Sequence, residues 1–172
     1  MIMKKLVVLL SAIVMASFCT SCNSVESKNA FGYDRSRVEA VIADHDTTIL
    51  YFMTSWCQAG QSDFERNLKP YLGKASDTKA IVVVCVGELE QVANLGNGDK
   101  NLLVCSTPSR NPLSDKLFIN KECKKMLNGY KRVNYVPVSL VCNRNGEILN
   151  WNTNTESSLV YGNLYQYLTG WK

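Results

Sequence analysis

The stretch 50-LYFMTSWCQAGQ-61 joins two different periodicities within twelve residues. Upstream of Trp56 the run 48-TILYFMTSW-56 is apolar, β-branched and aromatic, and of strand length. Downstream, Phe64, Leu68, Tyr71 and Leu72 recur at helical spacing, which predicts a helix over 58–72 that Pro70 ends or kinks. Cys57 stands at the junction. A cysteine in the first turn of a helix meets unpaired N–H groups and the positive end of the helix dipole, and both favour thiolate.

The elements around this junction alternate. Residues 34–43 place Val38, Val41 and Ile42 on one helical face, with Asp34 as N-cap. The run 80-AIVVVCVG-87 is hydrophobic on both faces, as a central parallel strand requires. A less regular stretch rich in Gly and Asn, 88–100, leads into 102-LLVC-105, and 108–114 reads as loop, so 88–118 is set aside as an insert. Ile119, Cys123, Met126, Leu127 and Tyr130 share one helical face. The strand runs 136-VPVSLVC-142 and 147-EILNW-151 flank the turn 143-NRNG-146, whose Asn-Gly is a hairpin signal. A last helix is expected over 156–168, with Val160, Leu164 and Leu168 inward. The sum is an α/β domain: a mixed sheet, parallel at first and ending in an antiparallel hairpin, with helices on both faces.

In this order the chain resembles the thioredoxin-like fold, and within it the exported, membrane-tethered branch. Three stretches carry the likeness: 50-LYFMTSWC-57, 130-YKRVNYVPVSLVCNRNGEIL-149 and the C-terminal helix. The resemblance implies that Cys57 is the nucleophile and that Trp56 shields it. It also implies that Pro137 is cis and faces the sulfur, and that Val136 offers its backbone to an extended substrate segment. Two departures bear on mechanism. Gly60 replaces the resolving cysteine of a Cys-x-x-Cys pair, and Tyr51 stands six residues before Cys57, where thioredoxins bury an acid. An ordinary dithiol reductase is therefore not expected. Thr54, three residues before Cys57, matches a peroxiredoxin spacing, but Leu50 stands where that family has proline.

Of the other cysteines, Cys85 and Cys142 lie in strands, and Cys123 lies on an apolar helical face; buried free cysteine commonly acts as a small hydrophobe. Cys105, before Ser106-Thr107-Pro108, is the candidate exposed thiol, and either a Cys57–Cys105 exchange or a Cys105–Cys123 bridge is conceivable. The odd number and irregular spacing argue against a disulfide scaffold and against a zinc site. His45, in 44-DHD-46, reads as a solvated loop residue. No metal and no cofactor is expected.

The N-terminal 21 residues combine Lys4 and Lys5 with an apolar run, 6–18, and resemble a bacterial lipoprotein signal. Cys22, after Ser21, is the expected lipidation site, and 22–30 the tether to a domain over 31–172. Removing 21 of the 172 residues leaves 151, one ordinary domain. The net charge of +4 is spread without a basic tract, which excludes nucleic acid as an expected partner. Two functions follow. One is a lipid-anchored protein of the bacterial cell envelope that exchanges disulfides with protein or peptide thiols through one cysteine, a thiol-disulfide oxidoreductase of monothiol type. The alternative is a non-enzymatic lipoprotein that keeps the groove to bind peptide or protein partners.

Overall fold

The computed structural model describes residues 30–71, 77–88 and 101–151. Its elements run β1 (Ala30–Gly32), α1 (Arg35–Asp44), β2 (Thr47–Thr54), α2 (Gln58–Asp63), β3 (Lys79–Val86), β4 (Leu102–Thr107), α3 (Pro112–Met126), β5 (Val138–Cys142) and β6 (Ile148–Trp151). They build one six-stranded sheet in the order β1-β4-β3-β2-β5-β6. The first four strands of that order run parallel to their neighbours, while β5 and β6 pair antiparallel, as the sequence pattern predicts.

β2 sits between β3 and β5 and is buried on both faces. Alternation along it sorts the core: Ile49, Tyr51 and Met53 face Phe64 and Leu68. Leu50 and Phe52 face the other way, towards Val38 and Ile42 of α1 and Ile119, Cys123 and Met126 of α3. Fully burying a side chain such as Phe64 or Leu50 contributes roughly 1.5–3 kcal/mol, so the β2–α2 unit is held from both sides.

Several readings of the sequence need correction. The run 102-LLVC-105 does not belong to a peripheral insert; it opens β4, which lies in the sheet between β1 and β3. No periodicity in the sequence marks β1. Its three residues, Ala30-Phe31-Gly32, are too short to carry a periodicity, and they pair with Val104–Ser106. Cys105 is fully buried rather than exposed, because its side chain lies on the sheet face packed against Val38, Ile42, Ile119 and Cys123. α3 starts at Pro112, inside the expected loop, with Asn111 capping the Ser114 N–H at 2.9 Å. It ends at Met126, so Tyr130 lies beyond it, because Leu127 is already extended. The helix after Cys57 is α-helical only to Asp63, passes through a π turn (Phe64–Leu68) and closes as a 3-10 turn containing Pro70. A proline there lacks the N–H of a regular helix and crowds the carbonyl four residues back, which accounts for the change of winding. His45 caps the end of α1, its Nδ1 2.7 Å from the Val41 carbonyl oxygen. The expected helix over 156–168, the signal and nearly all of the tether lie outside the described residues.

One buried charge fastens α3 to the chain between β1 and α1. Glu122 accepts hydrogen bonds of 2.8 Å from the Tyr33 hydroxyl and from Arg35 Nε. Burial alone would raise its carboxyl pKa, but the bonds from Arg35 and Tyr33 and the charges of Arg35 and Lys125 outweigh this and hold it below the usual range. The β5–β6 turn is fixed by Asn143, whose Oδ1 accepts the Asn145 and Glu147 N–H groups at 3.0 Å, and by Gly146 at φ +71°.

Candidate functional site

The loop after β2 is built by backbone bonds that the sheet dictates. Ser55 N–H donates to the Val86 carbonyl (3.0 Å) and Gly87 N–H to that of Thr107 (2.7 Å), tying the carboxyl ends of β2, β3 and β4 together. The approach is close enough that a Cβ at Gly87 would lie 2.0 Å from Ser55 Oγ, so only glycine fits. Cys57 N–H then turns back to the Thr54 carbonyl (3.0 Å), and the Cys57 carbonyl accepts the Gln61 N–H (3.3 Å), opening α2. Gln61 Nε2 also donates to the Ser55 carbonyl at 3.0 Å. Cys57 is thus the N-cap residue of α2, in extended conformation.

Its thiol is half-buried and unpaired. Sγ lies 3.8 Å from the carbonyl oxygen of Val136, and the Val136–Pro137 peptide is cis. The structure therefore brings Trp56, Cys57, Val136 and Pro137 to one place, although Cys57 and Val136 are 79 residues apart. The thiol can donate weakly to that carbonyl. No hydrogen bond among the described residues uses the Val136 N–H.

The two departures from the dithiol pattern meet beneath the sulfur. Gly60 is buried, and a Cβ there would sit 3.4 Å from Met53 Cβ and 3.6 Å from Pro137 Cβ, in ordinary contact. The Tyr51 hydroxyl, fully buried, donates to the Gly60 carbonyl at 2.8 Å. A neutral phenol bonded to helix backbone thus occupies the place where the resemblance puts a titrating acid.

Trp56 is 44 % exposed, and its indole Nε1 donates to Asp115 Oδ2 at 2.9 Å. Asp115 is itself buried at the start of α3; it also accepts from Ser109 Oγ (2.6 Å) and the Arg110 N–H (3.2 Å). Reading the sequence missed this residue. The signal was there: in 111-NPLSD-115 a capping Asn, a Pro at the first helical position and an acid in the first turn mark a helix start, not loop.

Among the described residues, no other cysteine pairs with Cys57. Cys85, Cys105, Cys123 and Cys142 are fully buried and free, so neither a Cys57–Cys105 nor a Cys105–Cys123 bridge is formed. Burial pushes the thiols of Cys85, Cys105 and Cys142 up to about 12, and that of Cys123 up as well.

No family model and no curated protein matches the chain. Solved structures do. The exposed lipoprotein thioredoxin Etrx1 of Streptococcus pneumoniae is 15 % identical over 77 % of this chain and 89 % of its own, with a TM-score of 0.48. A thiol:disulfide interchange protein of the thioredoxin family from Chlorobium tepidum is 17 % identical over 76 % and 83 %, with a TM-score of 0.45. Thioredoxin of Wuchereria bancrofti is 21 % identical over 77 % and 86 %, with a TM-score of 0.44. The mixed sheet with its antiparallel β5–β6 hairpin, the helix opening at Cys57 and the cis Val136–Pro137 peptide give the chain the thioredoxin-like architecture that the resemblance in sequence implies.

Proposed function

We propose that this chain is a lipid-anchored thioredoxin-like protein of a bacterial cell envelope, held through Cys22, that exchanges disulfides with protein or peptide thiols through Cys57 alone. The carrying observation is that Cys57 is the one cysteine among the described residues that is not fully buried, and that its sulfur lies beside the Val136 backbone. The step balances without a second internal thiol. The Cys57 thiolate attacks one sulfur of a partner disulfide; an S–S bond forms to Cys57, and the other partner sulfur leaves as thiolate with the electron pair. An external thiol then attacks the mixed disulfide, takes over the captured sulfur and returns Cys57 as thiolate. Trp56 flanks the reacting sulfur, and the backbone at Val136 pairs with the extended segment that carries the partner cysteine.

Capture tests this directly. Cells expressing the protein are acid-quenched, alkylated and run without reductant. Disulfide-linked partners seen with wild type vanish in Cys57→Ser. If the same adducts persist in that variant, another cysteine is responsible and the proposal fails. If wild type forms none while still co-purifying with partners, the chain is the non-enzymatic binding protein.

A further inference from the structure

The outward face of α3 carries no acid. Its inner face holds the buried Asp115, Ile119, Glu122, Cys123 and Met126. Leu113, Leu117, Lys121 and Lys124 follow at intervals of four, four and three residues, so they form one stripe on the opposite, exposed side. The first half of that stripe is apolar and the second half cationic. Leu113 and Leu117 are two of the four large hydrophobic side chains most exposed among the described residues.

Beyond α3 the chain folds back and adds charge to this face. Asn120 holds Val133 twice, its Oδ1 accepting the Val133 N–H and its Nδ2 donating to the Val133 carbonyl, both at 2.9 Å. Lys131 and Arg132 are thereby kept alongside Asn120, whose neighbours one helical turn away are Lys116 and Lys124. The sequence has no long basic tract, but residues 112–132 contain six basic side chains and two acidic ones, a balance of +4. The two acids, Asp115 and Glu122, are buried, and their charges are already counted in that balance. Glu122 is also shared with Arg35, 2.8 Å away, and with Lys125 at 4.0 Å. No ion pair among the described residues engages Lys121, Lys124, Lys131 or Arg132. Of the acids bordering the face, Glu39 acts on Arg35 and Glu147 accepts from Asn143.

The chain enters the domain beside the same helix. Tyr33, three residues after Ala30, donates to Glu122 at 2.8 Å and meets the Phe118 ring edge-on at 5.2 Å. Eight residues separate Ala30 from Cys22, a reach of at most about 29 Å when fully extended. An anchor at Cys22 therefore leaves the outer face of α3 within reach of the bilayer. We propose that this face docks on an anionic lipid surface, with Lys121, Lys124, Lys131 and Arg132 at the phosphate headgroups and Leu113 and Leu117 entering the interface. Exposed leucines in line with lysines fit a bilayer better than an acidic protein, because the interface offers anionic headgroups directly above apolar chains. The inference rests on the anchored reading above and adds to it the orientation in which the domain sits on its membrane. Docking takes no part in the exchange step at Cys57.

The full chain, isolated with its anchor and reconstituted into vesicles, provides the test. Lysine acetylation is read residue by residue by mass spectrometry on phosphatidylcholine vesicles and on vesicles in which about one third of the lipid is phosphatidylglycerol. Lys121, Lys124 and Lys131 react about threefold or more slowly on the anionic vesicles, because headgroups shield them and favour their charged form. Lys69, paired with Glu65 on the other side of the sheet, keeps its rate. In about 0.5 M salt the protection fades, since charges are then screened over roughly 4–5 Å. Equal rates on the two kinds of vesicle, or equal protection of Lys69, overturn the docking while leaving the anchor intact. Stronger protection by soluble polyglutamate than by anionic vesicles also overturns it and marks an acidic protein as the partner. If Cys22 of the isolated chain carries no acyl group, the anchored reading has failed instead, and co-sedimentation of the full chain with the same vesicles tests the face alone. Excess binding to the anionic vesicles that Lys121→Gln/Lys124→Gln/Lys131→Gln lowers about tenfold upholds the docking. No excess, or one that the triple variant leaves unchanged, overturns it.

Discussion

Replacing Gly60 with cysteine restores the dithiol pattern, and the structure says what that requires. Gly60 lies in the first turn of α2, is not in the left-handed region, and offers room for a Cβ in ordinary contact with Met53 and Pro137. Helix propensity favours the substitution by a few tenths of a kcal/mol, since glycine is about 1 kcal/mol worse than alanine in a helix interior. The introduced Sγ must pack near Met53 and Pro137, a cost of the same order, so the variant is expected to fold with stability within about 1 kcal/mol of wild type. Cys57 stays at the N-cap, three residues away. We expect Gly60→Cys to form a disulfide between Cys57 and the introduced thiol on equilibration with glutathione. Its two-electron transition should lie in the span that Cys-x-x-Cys proteins cover, roughly −270 to −120 mV. The assay is the alkylatable fraction of Cys57 and of the new thiol against buffer potential, resolved by peptide mass. Both thiols remaining reactive across that span, or only glutathione adducts accumulating, would refute the placement of residue 60 beneath the sulfur.

Two further outcomes follow from the buried groups. Tyr33→Phe removes the hydroxyl that bonds the buried Glu122 carboxylate, and a hydrogen bond to a charged group contributes about 1.5–3 kcal/mol. Urea unfolding at pH 7 should show a loss of that order. The Glu122 pKa is lowered in the folded protein, so its stabilisation is present above the unfolded value near 4.5 and is lost as pH falls through the folded one. The difference between wild type and Tyr33→Phe should therefore shrink in acid, and a pH-independent difference contradicts the account. The thiols of Cys85, Cys105 and Cys142 are raised from 9.0 to about 12, so the unfolded chain loses these protons first. Stability is unaffected below about pH 9 and falls between roughly pH 9 and 12, by up to about 1.4 kcal/mol per pH unit for each thiol. Cys105→Ala measured in parallel should flatten that alkaline slope, and an unchanged slope would count against burial of Cys105.

What could be read from sequence was local. The strand into Trp56-Cys57, the two-faced run 80–87 and the Asn145-Gly146 hairpin each declare themselves within a dozen residues, and the Val136-Pro137 pair is recognisable beside that hairpin. What could not be read was set by distant partners. β1 exists because Ala30–Gly32 finds β4, and the burial of Cys105 follows from helices α1 and α3 packing over its face of the sheet rather than from anything in 102-LLVCST-107. Trp56 is tied to Asp115 across 59 residues, a contact that no spacing rule encodes. In the sequence Tyr51 reads only as a missing acid. That its hydroxyl anchors the Gly60 carbonyl, the residue standing in for the missing thiol, emerges only from the fold.

The central claim is that one sulfur captures and none within the domain releases. Incubating the native full chain with excess glutathione disulfide and mapping modified peptides by mass measures it. The account predicts, among Cys57, Cys85, Cys105, Cys123 and Cys142, one adduct, on Cys57, stable until an external thiol is added. It is contradicted if Cys57 is recovered in an intramolecular disulfide with any of the other four, or if Cys57 stays unmodified in the native chain while the urea-unfolded chain reacts there.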